Sequence, residues 1–225
     1  PNGAGKTTTI SMISGLLTPT SGDAKIGGYS ITEHPMSAKK LIGVVPQEIA
    51  LYEDLTAREN LLFWGQMYGL SGKSLTSRVD EVLEQIGLTD KAKNRVKTYS
   101  GGMKRRVNIG VGLLHKPRLL FMDEPTVGID PQSRRAILDT VKDLNKHGMT
   151  VLYTTHYMEE AAELSNRVGI IDHGELIALG TQDELTKQVG QAETLILHIG
   201  ENEDPDALAK AVSSVEGVQK ADVTD

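Results

Sequence analysis

Apolar residues recur along this chain with two alternating periods. Ile10, Ile13, Leu16 and Leu17 fall at helical spacing, which predicts a helix from Thr7 running to Pro19. Residues 22–31 then read as two short strands around Gly27-Gly28, and Leu41 to Val45 as a strand ended by Pro46. Between residues 48 and 98 the texture turns helical. Thr56-Ala57-Arg58-Glu59 is a capping box that opens a helix carrying Leu61, Leu62, Trp64, Met67 and Tyr68, with Gly69 at its end. A second helix carries Leu75, Val79, Val82, Leu83 and Ile86 and closes at Gly87. Residues 101–114 predict a third.

The strand period then returns. Leu119-Leu120-Phe121-Met122 is a continuous apolar run ending in Asp123-Glu124, as expected of a parallel strand buried on both faces. Asp130 as N-cap and Pro131 at the first helical position open a helix whose face is Ile137, Leu138, Val141 and Leu144. A strand over 150–155, a helix through Glu159–Leu164 and two strands around His173-Gly174 follow. Thr181-Gln182-Asp183-Glu184 is a further capping box. From about Glu193 a strand, the helix PDALAKAVSSV and the start of another strand predict a small βαβ appendage. The expected fold class is α/β: a parallel-sheet core over residues 1–190, a helical insert at about 48–98, and a partial accessory α+β domain over 191–225.

Composition narrows this little. A hydrophobic fraction of 39% and a charged fraction of 24% suit a globular chain, and a net charge of -6 opposes bulk attraction to nucleic acid or anionic lipid. The chain has no cysteine, which excludes disulfide and thiol chemistry.

Candidate chemistry begins at the first residue. Pro1-Asn2-Gly3-Ala4-Gly5-Lys6-Thr7-Thr8 is a phosphate-binding loop of the P-loop type, lacking only its leading glycine. Backbone N–H groups around Gly3 to Thr8 are expected to cradle the phosphates of a nucleoside triphosphate, at the positive end of the following helix. Lys6 is expected to reach the β- and γ-phosphates, and Thr7 to ligate Mg²⁺. Asp123-Glu124, at the carboxyl end of a buried strand, lies where α/β sheets bind ligands. Asp123 is expected to hold Mg²⁺ and Glu124 to polarise the attacking water.

Tyr99-Ser100-Gly101-Gly102-Met103 resembles the signature motif of ATP-binding cassette (ABC) ATPases, usually LSGGQ, with Tyr99 in place of Leu and Met103 in place of Gln. Standing behind a phosphate loop and ahead of LLFMDEP, it identifies the chain as resembling that family over about residues 1 to 185. The resemblance implies further roles. Gln47 in VVPQE matches the Q-loop, which contacts Mg²⁺ and the attacking water. Asp130 in VGID matches the D-loop, and His156 in YTTH the H-loop histidine that contacts the γ-phosphate. It also implies a head-to-tail dimer, with ATP on one phosphate loop completed by Ser100, Gly101 and Gly102 of the second ATPase subunit.

SGGMKRR, GIDP and the trailing βαβ piece look like ATPase subunits of bacterial drug exporters of the daunorubicin-resistance type. Those sit at the cytoplasmic face of the membrane and energise a separate transmembrane permease. The segment at Gln47 to Asp54, with Tyr52 exposed, is the expected docking place; the alternative is that Ile49, Leu51 and Tyr52 simply pack the insert. An importer ATPase, a soluble ABC ATPase and a nucleotide-sensing module remain as other readings. Nucleic acid is disfavoured by the acidic balance and by the absence of a coiled-coil insertion between Lys6 and Ser100. The strand feeding the phosphate loop and the aromatic platform for adenine are expected to precede Pro1, so residues 1–225 alone are expected to bind ATP poorly.

Overall fold

The computed structural model describes residues 3–189, 205–215, 218 and 221. Two compact units divide at residue 179. In the first, helix α1 (Lys6–Ile13) leads to a hairpin of β1 (Lys25–Ile26) and β2 (Tyr29–Ser30), then to α2 (Pro35–Lys39) and β3 (Ile42–Val45). The insert supplies α3 (Ala57–Met67) and α4 (Gly72–Gln85), followed by α5 (Gly101–Leu113). Then come β4 (Leu119–Asp123), α6 (Pro131–Lys146), β5 (Thr150–Thr154), α7 (Met158–Leu164), and the hairpin β6 (Val168–Asp172) and β7 (Glu175–Gly180). In the second unit the described helices are α8 (Gln182–Val189) and α9 (Pro205–Ser213). The expected appendage helix is α9; the two strands expected on either side of it fall largely outside the described residues.

Strands β3, β4 and β5 form a parallel sheet in that order, with Val45 opposite Met122 and Asp123 opposite Thr154. The apolar run of β4 is buried on both faces: Leu120, Phe121 and Met122 are each 0% exposed. Alternation along the strand sends Phe121 to Ile10 of α1 and Ile42. Leu120 and Met122 join the larger cluster with Val107, Leu113 and Ile137. That same cluster runs on into the insert through Leu61, Val79, Val82, Leu83 and Ile86, so insert and sheet share one core.

Local chemistry accounts for most boundaries. Thr56 and Glu59 close the capping box reciprocally: Glu59 N–H donates to Thr56 Oγ1 at 3.1 Å and Thr56 N–H to Glu59 Oε2 at 2.8 Å. Asp130 accepts the Ser133 N–H at 2.9 Å, and Ser100 the Met103 N–H at 3.2 Å. One expectation at the start of the chain is corrected. Helix α1 stops at Ile13 and does not reach Pro19. Gly15 turns left-handed at φ 72, and Leu16 N–H closes back on Ser11 at 2.8 Å. Leu16 and Leu17 are left exposed as a result. A short helix the apolar pattern did not announce, α2, begins at Pro35, where a missing N–H costs nothing.

Candidate nucleotide site

The sheet gathers the predicted side chains at its carboxyl edge. Gln47 follows β3, Asp123 ends β4 with Glu124 next to it, and His156 lies just beyond β5. Lys6 reaches the same edge from the start of α1. Its Nζ lies 3.3 Å from Glu124 Oε1, while His156 Nδ1 lies 3.4 Å from Glu124 Oε2. Three residues far apart in the chain thus meet on one carboxylate.

Gly5 makes the loop possible. It is the N-cap of α1 at φ 100 and ψ 7, in the left-handed region where a side chain would be strained. The first turn of α1 contains no acidic residue, so its positive end is left to an anion. The loop is braced by the β6–β7 turn, where Gly174 N–H donates to the Ala4 carbonyl at 2.9 Å. Thr7 and Thr8 are exposed on the first turn.

Both acids of β4 lean on one residue. Thr154 Oγ1 donates to Asp123 Oδ1 at 2.7 Å and accepts the Glu124 N–H at 3.0 Å. Asp123 itself is only 4% exposed. Glu124 has φ 44, an uncommon conformation for a residue with a side chain and one that concentrates at functional sites. Thr7 hydroxyl, Gln47 carboxamide and Asp123 carboxylate are all hard oxygen donors, the set that suits Mg²⁺.

Gln47, Ser100 and Asp130 do not join the Lys6–Glu124–His156 cluster. Gln47 is exposed, and its carbonyl and that of Pro46 accept the Arg105 guanidinium at 2.6 and 2.8 Å. Ser100 and Gly101 lie exposed at the start of α5 with the Ser100 oxygen spent on its own helix. Gly102 is buried: a Cβ there would come within 2.1 Å of Ser133 Cβ, so only glycine lets α5 meet α6 so closely. The Ser133 N–H also holds the Asp130 carboxyl below its ordinary value.

Thr154 and Arg105 escaped the sequence reading. Thr154 fell inside the strand expected over 150–155, and nothing local announced its partners. Arg105 sits in a basic run, yet Gly102, Arg105, Ile109 and Leu113 share a helical face and are all buried. That spacing was the available signal. Burial pushes the Arg105 guanidinium below its ordinary value, and its carbonyl partners compensate by tying the Gln47 segment to α5.

The family model described as ABC transporter matches residues 1–127, more than half of the chain. The chain is 61% identical to the linearmycin resistance ATP-binding protein LnrL of Bacillus subtilis, over 87% of this chain and 63% of that protein. It is 43% identical to the doxorubicin resistance ATP-binding protein DrrA of Mycobacterium tuberculosis, over 96% of this chain and 65% of that one. It therefore spans a little under two thirds of the length of each. Among solved structures, a dimeric ATP-binding cassette in a post-hydrolysis state, bound to ADP and Pi, superposes with a TM-score of 0.70 at 28% identity, over 80% of this chain and 82% of that one. With more than half its length matched by the family model and its fold shared with a nucleotide-bound cassette, the chain belongs to the ABC transporter family.

Proposed function

We propose that this chain binds and hydrolyses ATP to energise an exporter, as one of two ATPase subunits on the cytoplasmic side of a separate transmembrane permease. The observation that carries the reading is the convergence of Lys6, Glu124 and His156 at the open end of the sheet. In this reading the α1 N-terminus and the N–H groups around Gly3 to Thr8 hold the phosphates. Lys6 leaves Glu124 for the β- and γ-phosphate oxygens. Glu124 takes a proton from water as the water oxygen bonds to the γ-phosphorus. The bond from phosphorus to the bridging β–γ oxygen breaks, releasing ADP and inorganic phosphate. His156 donates a hydrogen bond to the γ-phosphate. Thr7, Gln47 and Asp123 would hold Mg²⁺, which when bound neutralises phosphate charge.

The exposed start of α5, with Ser100 and Gly101, is proposed to complete the ATP site of a second copy, with Asp130 beside it. Support for a dimer is the dimeric state of the solved neighbour. Support for export is the drug resistance for which both relatives are named. No helix among the described residues is long and apolar enough to cross a membrane; support for a separate permease is that both relatives are named as ATP-binding proteins. Tyr52, 49% exposed and edge-on to Phe63 at 4.9 Å, is proposed to face it, beside Gln47 and Ile49. Leu51 packs inward against the insert.

Glu124→Gln in the full protein tests the central claim. With ATP and Mg²⁺ it should accumulate as a nucleotide-bound dimer in size-exclusion chromatography. A variant that stays monomeric and hydrolyses ATP at the wild-type rate would overturn the assignment of Glu124.

A further inference from the structure

Glu160 on α7 is 3% exposed, and no role above uses it. Its carboxylate is ringed by hydroxyl donors. Thr126 Oγ1 lies 2.8 Å from Oε1, and Tyr153 Oη and Thr155 Oγ1 donate to Oε2 at 3.0 and 2.8 Å. Arg134 Nε is 3.7 Å from Oε1, and its guanidinium lies over the Tyr157 ring at 4.5 Å. Tyr157 N–H donates to Thr155 Oγ1 at 2.9 Å, and the His156 and Tyr157 rings are 4.2 Å apart. Burial, together with the adjacent carboxylate, pushes the Tyr153 phenol above its ordinary value, so it remains a donor.

The origin of these partners gives the arrangement its meaning. Thr126 lies two residues beyond Glu124. Tyr153 and Thr155 flank Thr154, which holds Asp123 and Glu124, and Thr155 immediately precedes His156. Arg134 stands one helical turn beyond Asp130. Filling this space needs only an apolar side chain, and a buried carboxylate is expensive to keep unless its lone pairs are used. Glu160 uses them to join the segment after β4 to the segment after β5.

We propose that Glu160 is a positioning residue for hydrolysis: it locks the Glu124–Asp130 turn and the His156 turn in register, so that Glu124 and His156 address the same γ-phosphate. The proposal rests on the ATPase reading above.

The test is a double-mutant cycle in the full protein. Glu160→Gln keeps one accepting oxygen and turns an NH₂ group onto hydroxyl donors. It should lower kcat about 10–100-fold and change the KM for ATP less than about 3-fold, the signature of an interaction needed in the transition state. Combined with His156→Ala, it should cost no more than about 2-fold beyond His156→Ala alone, since the register of the two turns matters only while His156 is there to share the phosphate with Glu124. Tyr153→Phe removes one donor at nearly constant volume and should repeat the pattern at about 3–10-fold, which keeps the test open if Glu160→Gln folds poorly. Multiplicative losses in the cycle, a KM rising in step with the fall in kcat, or wild-type kcat in both variants would overturn the positioning role while leaving the ATPase reading intact. A wild-type protein that does not hydrolyse ATP would overturn that reading, and this proposal with it.

Discussion

In the helical insert, α3 and α4 meet α5 through Leu61, Val79, Val82, Leu83 and Ile86, each 1% exposed or less. At the carboxyl edge of the sheet, Lys6, Glu124 and His156 meet as polar groups, and the His156 side chain is 33% exposed. The insert is held by area removed from water, which is non-directional and tolerates small shifts. The edge is held by hydrogen bonds and charge pairs, which are directional and worth little net stability where water reaches them. Even the strands follow this division. Central β4 is sealed, whereas β5 has no strand on its other side among the described residues and leaves Leu152 37% exposed. One region therefore carries stability and the other carries chemistry, with Arg105 as the link, buried in α5 and bonded to the Gln47 segment.

Breaking each region separately sharpens the contrast. The largest effect belongs to His156→Ala. Phosphate release should fall about 10²–10³-fold, as when one preorganised group is removed from a catalytic site. Urea unfolding should shift by less than about 1 kcal/mol, because the side chain is partly exposed. A loss of stability matching the loss of rate would show that the edge is structural after all.

Leu61→Ala should do the reverse. Its side chain is 0% exposed, and truncation should cost about 2–5 kcal/mol of unfolding free energy. Hydrolysis per folded molecule, measured below the transition, should stay close to the wild-type value. Thr56→Ala is milder. Loss of the capping hydroxyl at α3 should cost about 1 kcal/mol by urea denaturation, again with little change in rate.

The smallest effect is one of pH. The Ser133 N–H lowers the Asp130 pKa in the folded state, so the group stabilises the fold above its unfolded value of about 3.9. That contribution is lost as pH falls through the lowered folded value. The stability difference between wild type and Asp130→Ala should be constant from pH 7 to 5 and shrink below pH 4. A difference that grows on acidification would exclude the N-cap carboxylate as its source.

Much of this was legible from residues alone. The capping boxes at Thr56 and Thr181, the N-cap at Asp130, and the turns at Gly27-Gly28 and His173-Gly174 are local events with local signals, and they appear where expected. So does the buried β4 run; the residues proposed for chemistry stand next to strand or helix ends. The end of α1 was misjudged because Leu16 and Leu17 continue the apolar period past a glycine that terminates the helix. Glu160 was passed over because a glutamate in the first turn of a helix ordinarily faces solvent.

The chain's own order of residues determined the identity of the elements, their caps and the chemical groups at their ends. Those depend on side-chain period and on hydrogen bonds spanning three or four residues. Only the tertiary structure decided that Thr154 would hold both Asp123 and Glu124, that Arg105 would grip the Gln47 segment, and that Glu160 would gather Thr126, Tyr153 and Thr155. These contacts depend on parallel register and on how helices cross the sheet. Register is set by the burial of the whole core, and no short stretch of sequence contains it.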